Sequence, residues 1–218
     1  MTAPDPAAHW AGQFGRDYTS RNPATADDLD SLYQTRYGVT RSEMNAAMLA
    51  DVPRSAAILE IGCNRGAQLH CLSGAGYTNL AGIDINSQAI ALAGGILPKA
   101  NLRIAKATAV PFQPASFDMV FTSGVLIHIP PLQIGTVIDE MARLSRRWIW
   151  GFEYAGANAN DPISPRRYRG QDGLMWTGDF AEAVSARHPE FRIVKRNYYR
   201  EGPGAPYDQM YLLEKTTR

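Results

Sequence analysis

The chain of 218 residues holds only two cysteines, Cys63 and Cys71. That is too few for a disulfide framework. Their spacing fits neither a zinc knuckle nor a Cys-x-x-Cys redox pair, so both read as free thiols in a reducing cytoplasm, and no metal site is expected. Net charge is equally scarce: 22 Lys and Arg against 21 Asp and Glu leave +1, which argues against a nucleic-acid partner held by bulk electrostatics. No apolar run approaches the roughly 18 residues of a membrane span. The opening segment "MTAPDPAAHW" lacks a basic stretch followed by an apolar one, so no signal peptide is expected. Repeats and low-complexity tracts are also missing.

What is present is 45% hydrophobic residues, enough for one α/β domain with a buried core. Charge is uneven, with 11 Lys and Arg against 6 Asp and Glu between residues 143 and 200. This is either a solvated face or a basic rim around a site for an anionic small molecule.

From residue 56 onward, short apolar runs alternate with helical patterns, as in βαβ units. "AAILEI", "NLAGIDI", "NLRIAKA", "SFDMVFTSG" and "RRWIWGFEY" read as five strands. "AQLHCLSGAG", "SQAIALAGGILP" capped by Ser87, and "PPLQIGTVIDEMARLS" read as the intervening helices. Residues 155–173 read as a loop rich in Pro, Asn, Gly and Arg. "TGDFAEAVSARH" then forms a helix capped by Thr177 or Asp179, and "FRIVKRNYYR" with "YDQMYLLEK" makes an antiparallel pair. The expected fold is a Rossmann-like, mostly parallel seven-stranded sheet ending in an antiparallel hairpin. Residues 1–55 fall outside this alternation and predict a helical N-terminal cap over one edge of the sheet, with residues 56–218 as the main domain.

The chemistry concentrates in "LEIGCNRG". Open parallel sheets bind ligands at the carboxyl ends of their strands. Dinucleotide loops need a middle glycine so that backbone N–H groups can approach a pyrophosphate. Here Asn64 stands in that place; it tolerates the left-handed backbone but crowds such an approach. A ligand without a pyrophosphate, such as S-adenosylmethionine, suits the loop better. The Glu60 carboxylate can face that molecule's cationic methionine end. Asp84, in "GIDIN", can accept from ribose hydroxyls. A nicotinamide-dependent oxidoreductase remains the competing reading, and a cofactor-binding module without activity a third.

"LEIGCNRG", "GIDIN" and "VPFQPASFDMVFTSGVLIHIP", in that order, resemble class I S-adenosylmethionine-dependent methyltransferases over most of the chain. The resemblance implies cofactor contacts from Glu60, Gly62, Asn64 and Gly66, from Asp84 and Ile85, and from Ser123 at the end of the fourth strand. One departure stands out: Lys106 occupies the place of an acid that recognises the adenine amino group, so that contact passes to Ala107 and Thr108. A narrower resemblance, to methylases associated with pseudaminic acid biosynthesis, rests on "WAGQFGRDYTSRN", "LEIGCNRG", "GVLIHIPP", "EYAGANANDPISPRRYRG" and "GDFAEAV". Here Glu153, Tyr154, Ala155 and Gly156 replace that family's pattern of Tyr-Tyr-Asn-Pro after the glutamate, in the loop that lines the acceptor side.

These likenesses imply methyl transfer to oxygen or nitrogen of a small polar, anionic acceptor, a sugar or specialised metabolite, by a monomer or homodimer. His128, just past the fourth strand, is the expected base or else a packed imidazole, and Glu153 the alternative base or else a loop anchor. Tyr154, Arg167, Tyr168 and Arg169 are expected to bind the acceptor, with guanidinium groups suited to a carboxylate or phosphate. Tyr18, Arg21 and Asn22 are expected to close over the cofactor's methionine end or the acceptor, while Trp10 and Phe14 exclude water.

Overall fold

The computed structural model describes residues 6–158 and 161–216. Four helices come first: α1 (Pro6–Ala11), α2 (Gln13–Arg21), α3 (Ala26–Tyr37) and α4 (Arg41–Met48). Thr25 and Thr40 start the last two through capping boxes with Asp28 and Glu43, each pair satisfying two otherwise orphaned backbone N–H groups. The alternating part then runs β1 (Ala57–Ile61), α5 (Ala67–Gly74), β2 (Asn79–Asp84), α6 (Ser87–Ile96), β3 (Asn101–Ile104), β4 (Phe117–Ser123), α7 (Pro131–Leu144) and β5 (Ser145–Gly156). Beyond it lie β6 (Ser164–Tyr168), β7 (Gln171–Thr177), α8 (Phe180–Arg187), β8 (Phe191–Tyr199) and β9 (Tyr207–Lys215).

Seven strands form one sheet in the order β3-β2-β1-β4-β5-β9-β8, with β9 antiparallel to both neighbours. This is the expected mostly parallel sheet with its terminal hairpin. The pleat divides the core in two. Leu59, Val120, Ile149 and Leu213 point to one face, beneath α7 and α8. Ile58, Met119, Phe121 and Trp150 point to the other. Each aliphatic side chain buried this way contributes about 1.5–3 kcal/mol. Helices α3 and α4 supply Tyr33, Met44 and Met48 to that second cluster. Helices α3 and α4 therefore pack against a face of the sheet, where the sequence suggested a cap over one edge of it.

Two local readings need correction. Helix α6 is capped by Asn86, whose side chain accepts from the N–H groups of Gln88 and Ala89; Ser87 already lies in the first turn. The stretch read as one long loop contains the β6–β7 hairpin. Its turn residues Arg169 and Gly170 both have positive φ, 49° and 78°, as a two-residue primed turn requires. Arginine is an uncommon residue there, which concealed the turn.

Candidate active site

Strand β1 has β2 on one side and β4 on the other, so the chain leaves it in opposite directions and opens a crevice at the carboxyl ends. A cavity of about 650 Å³ lies there. Its floor begins with the loop after β1. Gly62 has φ 76° and Gly66 φ 81°, and a Cβ on Gly62 would stand 2.5 Å from the Val125 side chain. Asn64 adopts the left-handed backbone, φ 47°, and its N–H donates to Asp84 Oδ2 at 2.8 Å. The other oxygen of Asp84 accepts from the Asn86 N–H, also at 2.8 Å. These bonds hold the carboxylate at the cavity wall with lone pairs to spare.

Glu60 is 3% exposed, lines the cavity, and has an Oε2 with no partner among the described residues. Burial raises its carboxyl to about 8, against the opposing pull of Arg41 and helped by the nearby Asp84. Arg41 itself is fully buried. It donates to Asn45 Oδ1 at 3.1 Å, to the Tyr33 hydroxyl at 2.7 Å and to Ser123 Oγ at 3.0 Å. Nothing in "TRSEMNAAM" distinguishes this arginine from a solvated one at a helix start.

His128 closes a short 3-10 turn after β4 and is 8% exposed. Its Nδ1 lies 2.8 Å from the Leu174 carbonyl oxygen of β7. A carbonyl can only accept, so Nδ1 carries the proton and Nε2 the lone pair. Burial pushes this imidazole down to about 4, so it is neutral near pH 7. Trp10 packs on it with ring centroids 4.5 Å apart, and Tyr168 at 5.0 Å. Trp10 also meets Tyr18 at 5.0 Å. Helices α1 and α2 and the β6–β7 hairpin thus meet over the imidazole. A Cβ on Gly15 would collide with the Trp10 carbonyl, so this crossing requires glycine.

Residues 58–147 match a family model described as a methyltransferase domain. The fold of the chain recurs in solved structures. One is magnesium protoporphyrin IX methyltransferase from Synechocystis PCC 6803 with bound S-adenosylmethionine, at TM-score 0.68 and 15% identity, covering 99% of this chain and 100% of that one. A second is 1,6-didemethyltoxoflavin-N1-methyltransferase from Burkholderia thailandensis with bound 1,6-didemethyltoxoflavin and S-adenosylhomocysteine, at 0.65 and 17%, covering 100% and 94%. A third is a (4+2)-cyclase, at 0.72 and 14%, covering 100% and 99%. At such identities the likeness is one of fold, and the cyclase shows that this fold also hosts other chemistry. No curated protein sequence matches the chain.

S-adenosylmethionine, bound in the first of these structures, is the cofactor expected for this chain. The cavity fits it: Glu60 Oε2, Asn64 Oδ1 and Trp10 Nε1 are buried polar atoms without partners among the described residues, all on residues of the cavity wall. Tyr18, Gly62, Asp84, Ile85, Ala107, Thr108 and Ser123 line the same cavity. So do Tyr154, Tyr168 and Arg169 from the acceptor set.

Four expected residues are placed elsewhere. Gly66 is buried under Leu97 and shapes the loop from behind. Arg21 is exposed at the end of α2, off the wall. Arg167 is exposed too, spending its Nε–H on the Gly170 carbonyl at 3.1 Å. Glu153 is fully buried, and its two oxygens accept from the N–H groups of Val125, Leu126 and Ile127 at 3.2, 3.2 and 3.3 Å. It anchors the turn that carries His128; with no access to the cavity it is not placed to act as a base. Sequence reasoning also missed Tyr33 and Arg36, which α3 brings to the wall.

Proposed function

We propose that the protein transfers a methyl group from S-adenosylmethionine to an oxygen or nitrogen of a small polar, anionic acceptor, in the manner of the methylases associated with pseudaminic acid biosynthesis that its sequence resembles. The observation that carries this reading is one cavity wall that joins Glu60 and Asp84 to His128. Asp84 accepts from the ribose hydroxyls, and Glu60 faces the cationic methionine end. Ile85, Ala107 and Thr108 surround the adenine. The bound cofactor supplies a methyl group on a sulfonium sulfur that leaves as a neutral thioether.

The chain's own task is alignment, which supplies several kcal/mol of barrier lowering. His128 Nε2 accepts a hydrogen bond from the acceptor's O–H or N–H and orients its lone pair. With its conjugate acid at about 4, the imidazole is a weak base. It therefore serves an acceptor whose proton is already acidic, or one that needs none removed before transfer. Trp10, Tyr18 and Tyr168 exclude water around this contact. Arg169, which has no acid within ion-pair distance among the described residues, holds the acceptor's anionic group, with Tyr154 beside it.

A nicotinamide reading is disfavoured because Asn64 places a side chain where a pyrophosphate would approach. The test is a thermal-shift screen with S-adenosylhomocysteine and NADH, followed by an acceptor panel read by a mass gain of one methyl group. Stabilisation by NADH alone would refute the proposal, and so would the absence of a methylated product across anionic sugars and phenolic acids.

A further inference from the structure

Arg36, Arg65, Lys106 and Arg169 are the cations on the cavity wall. Among the described residues, Arg36 alone of these is ion-paired, its Nε lying 3.2 Å from Glu201 Oε1. Arg36 stands in the last turn of α3, and Glu201 in the turn between β8 and β9. Their meeting is held in place by the neighbouring residues. Asp208, at the start of β9, accepts from the Tyr37 hydroxyl. Tyr199, at the end of β8 and paired with Asp208, packs its ring 5.9 Å from that of Tyr37. Both ends of the turn are thus tied to the residue beside Arg36.

On its other side Arg36 reaches the acceptor residues. The ring of Tyr33, one turn earlier on α3, lies 5.4 Å from that of Phe152 on β5. Residues three apart on a helix share a face, as do residues two apart on a strand. Arg36 and Tyr154 follow Tyr33 and Phe152 on those faces, and they stand together on the cavity wall. The Arg36 and Glu201 side chains are 40% and 55% exposed, so theirs is a solvent-screened pair of the kind that contributes little and exchanges easily. A ligand carboxylate enclosed in the cavity meets the same guanidinium with less water around it, where a charge-assisted hydrogen bond is stronger.

We propose that Arg36 is a specificity-determining residue that receives a carboxylate of the acceptor, and that Glu201 is an internal stand-in which that carboxylate displaces. This rests on the reading of the protein as a methyltransferase for anionic acceptors. The group Arg36 already holds is a carboxylate, so the ligand that replaces it matches in charge and shape. A neutral acceptor offers Arg36 no replacement and leaves the pair closed. With Arg36 on α3 and Arg169 on the β6–β7 hairpin, the acceptor is gripped from two separate elements of the wall.

The test is an NMR titration of the S-adenosylhomocysteine-loaded protein with two sugar acids, glucuronate and N-acetylneuraminate, and with their neutral methyl esters. Glu201→Gln tightens binding of a sugar acid about two- to fivefold, the range set by an exposed ion pair. Arg36→Gln weakens it about tenfold or more. In the Arg36→Gln background, Glu201→Gln changes affinity less than about twofold, because the stand-in then has nothing to block. The esters bind all four proteins alike. Tightening that persists without Arg36, esters that respond as the acids do, or no effect of Glu201→Gln overturns the proposal. If Arg36→Gln does not fold, Glu201→Gln decides on the acids and esters alone. Sugar acids that bind neither wild type nor Glu201→Gln, while the acceptor panel still yields a methylated product, overturn this inference only. A protein that binds no S-adenosylhomocysteine sinks the methyltransferase reading itself.

Discussion

The Nδ1 of His128 and the carbonyl oxygen of Leu174 lie 2.8 Å apart, although 46 residues of chain separate them. That bond fixes the imidazole tautomer, and the residue that fixes it belongs to a hairpin the sequence does not announce.

Replacing His128 by Ala should lower turnover about a hundredfold while changing S-adenosylhomocysteine affinity little. Because burial holds the imidazole near 4, its lone pair stays free throughout the neutral range. Wild-type turnover should then show no loss attributable to this group until the pH falls toward about 4. A turnover inflection near pH 6.5 that disappears in the variant would contradict the assigned environment.

Asp84→Ala should weaken S-adenosylhomocysteine about tenfold to a hundredfold, since hydrogen bonds to a charged group contribute about 1.5–3 kcal/mol each. The same change frees the Asn64 N–H, now bonded at 2.8 Å, so the loop loosens as well. Unchanged affinity in calorimetry would sink the ribose assignment.

Glu153→Ala leaves the amides of Val125, Leu126 and Ile127 without their acceptor. Urea unfolding should show a loss of about 3 kcal/mol or more, because unsatisfied buried donors cost about 1–3 kcal/mol each. A neutral result would show that the turn finds other partners.

Glu60 provides a pH dependence with a definite sign. Its carboxyl titrates at about 8 in the folded protein and near its ordinary value of about 4.5 in the unfolded chain. The stabilisation tied to its protonated form is therefore complete below about pH 4.5 and lost as pH rises through about 8. In the ligand-free protein, Glu60→Gln should gain melting temperature relative to wild type across that window. An unchanged difference between pH 5 and pH 8 would contradict the burial argument.

Arg169→Ala should raise the KM for the acceptor, and Arg167→Ala should leave it unchanged. The first residue lines the cavity, while the second points away and bonds Gly170. Kinetics with the acceptor identified by mass gain would separate them, and the opposite ranking would move the anion site to the outer face of the hairpin.

The sequence by itself determined the alternation of β1 to β5 with α5 to α7, because apolar period and turn residues are local properties of the chain. It also located the glycine loop and Asp84, since adjacent segments of one βαβ unit must bring them together. Tertiary structure decided which of several similar side chains face the cavity. Arg167 and Arg169 are alike in sequence and both exposed, but only Arg169, in the two-residue turn, lines the cavity. Glu153 and Glu60 each end an apolar run. One meets three backbone amides, whereas the other is buried at the cavity wall with an Oε2 that finds no partner among the described residues. Arg41 became visible only when α4 was laid against the sheet, because the burial and pairing of a charge depend on residues far away in the chain.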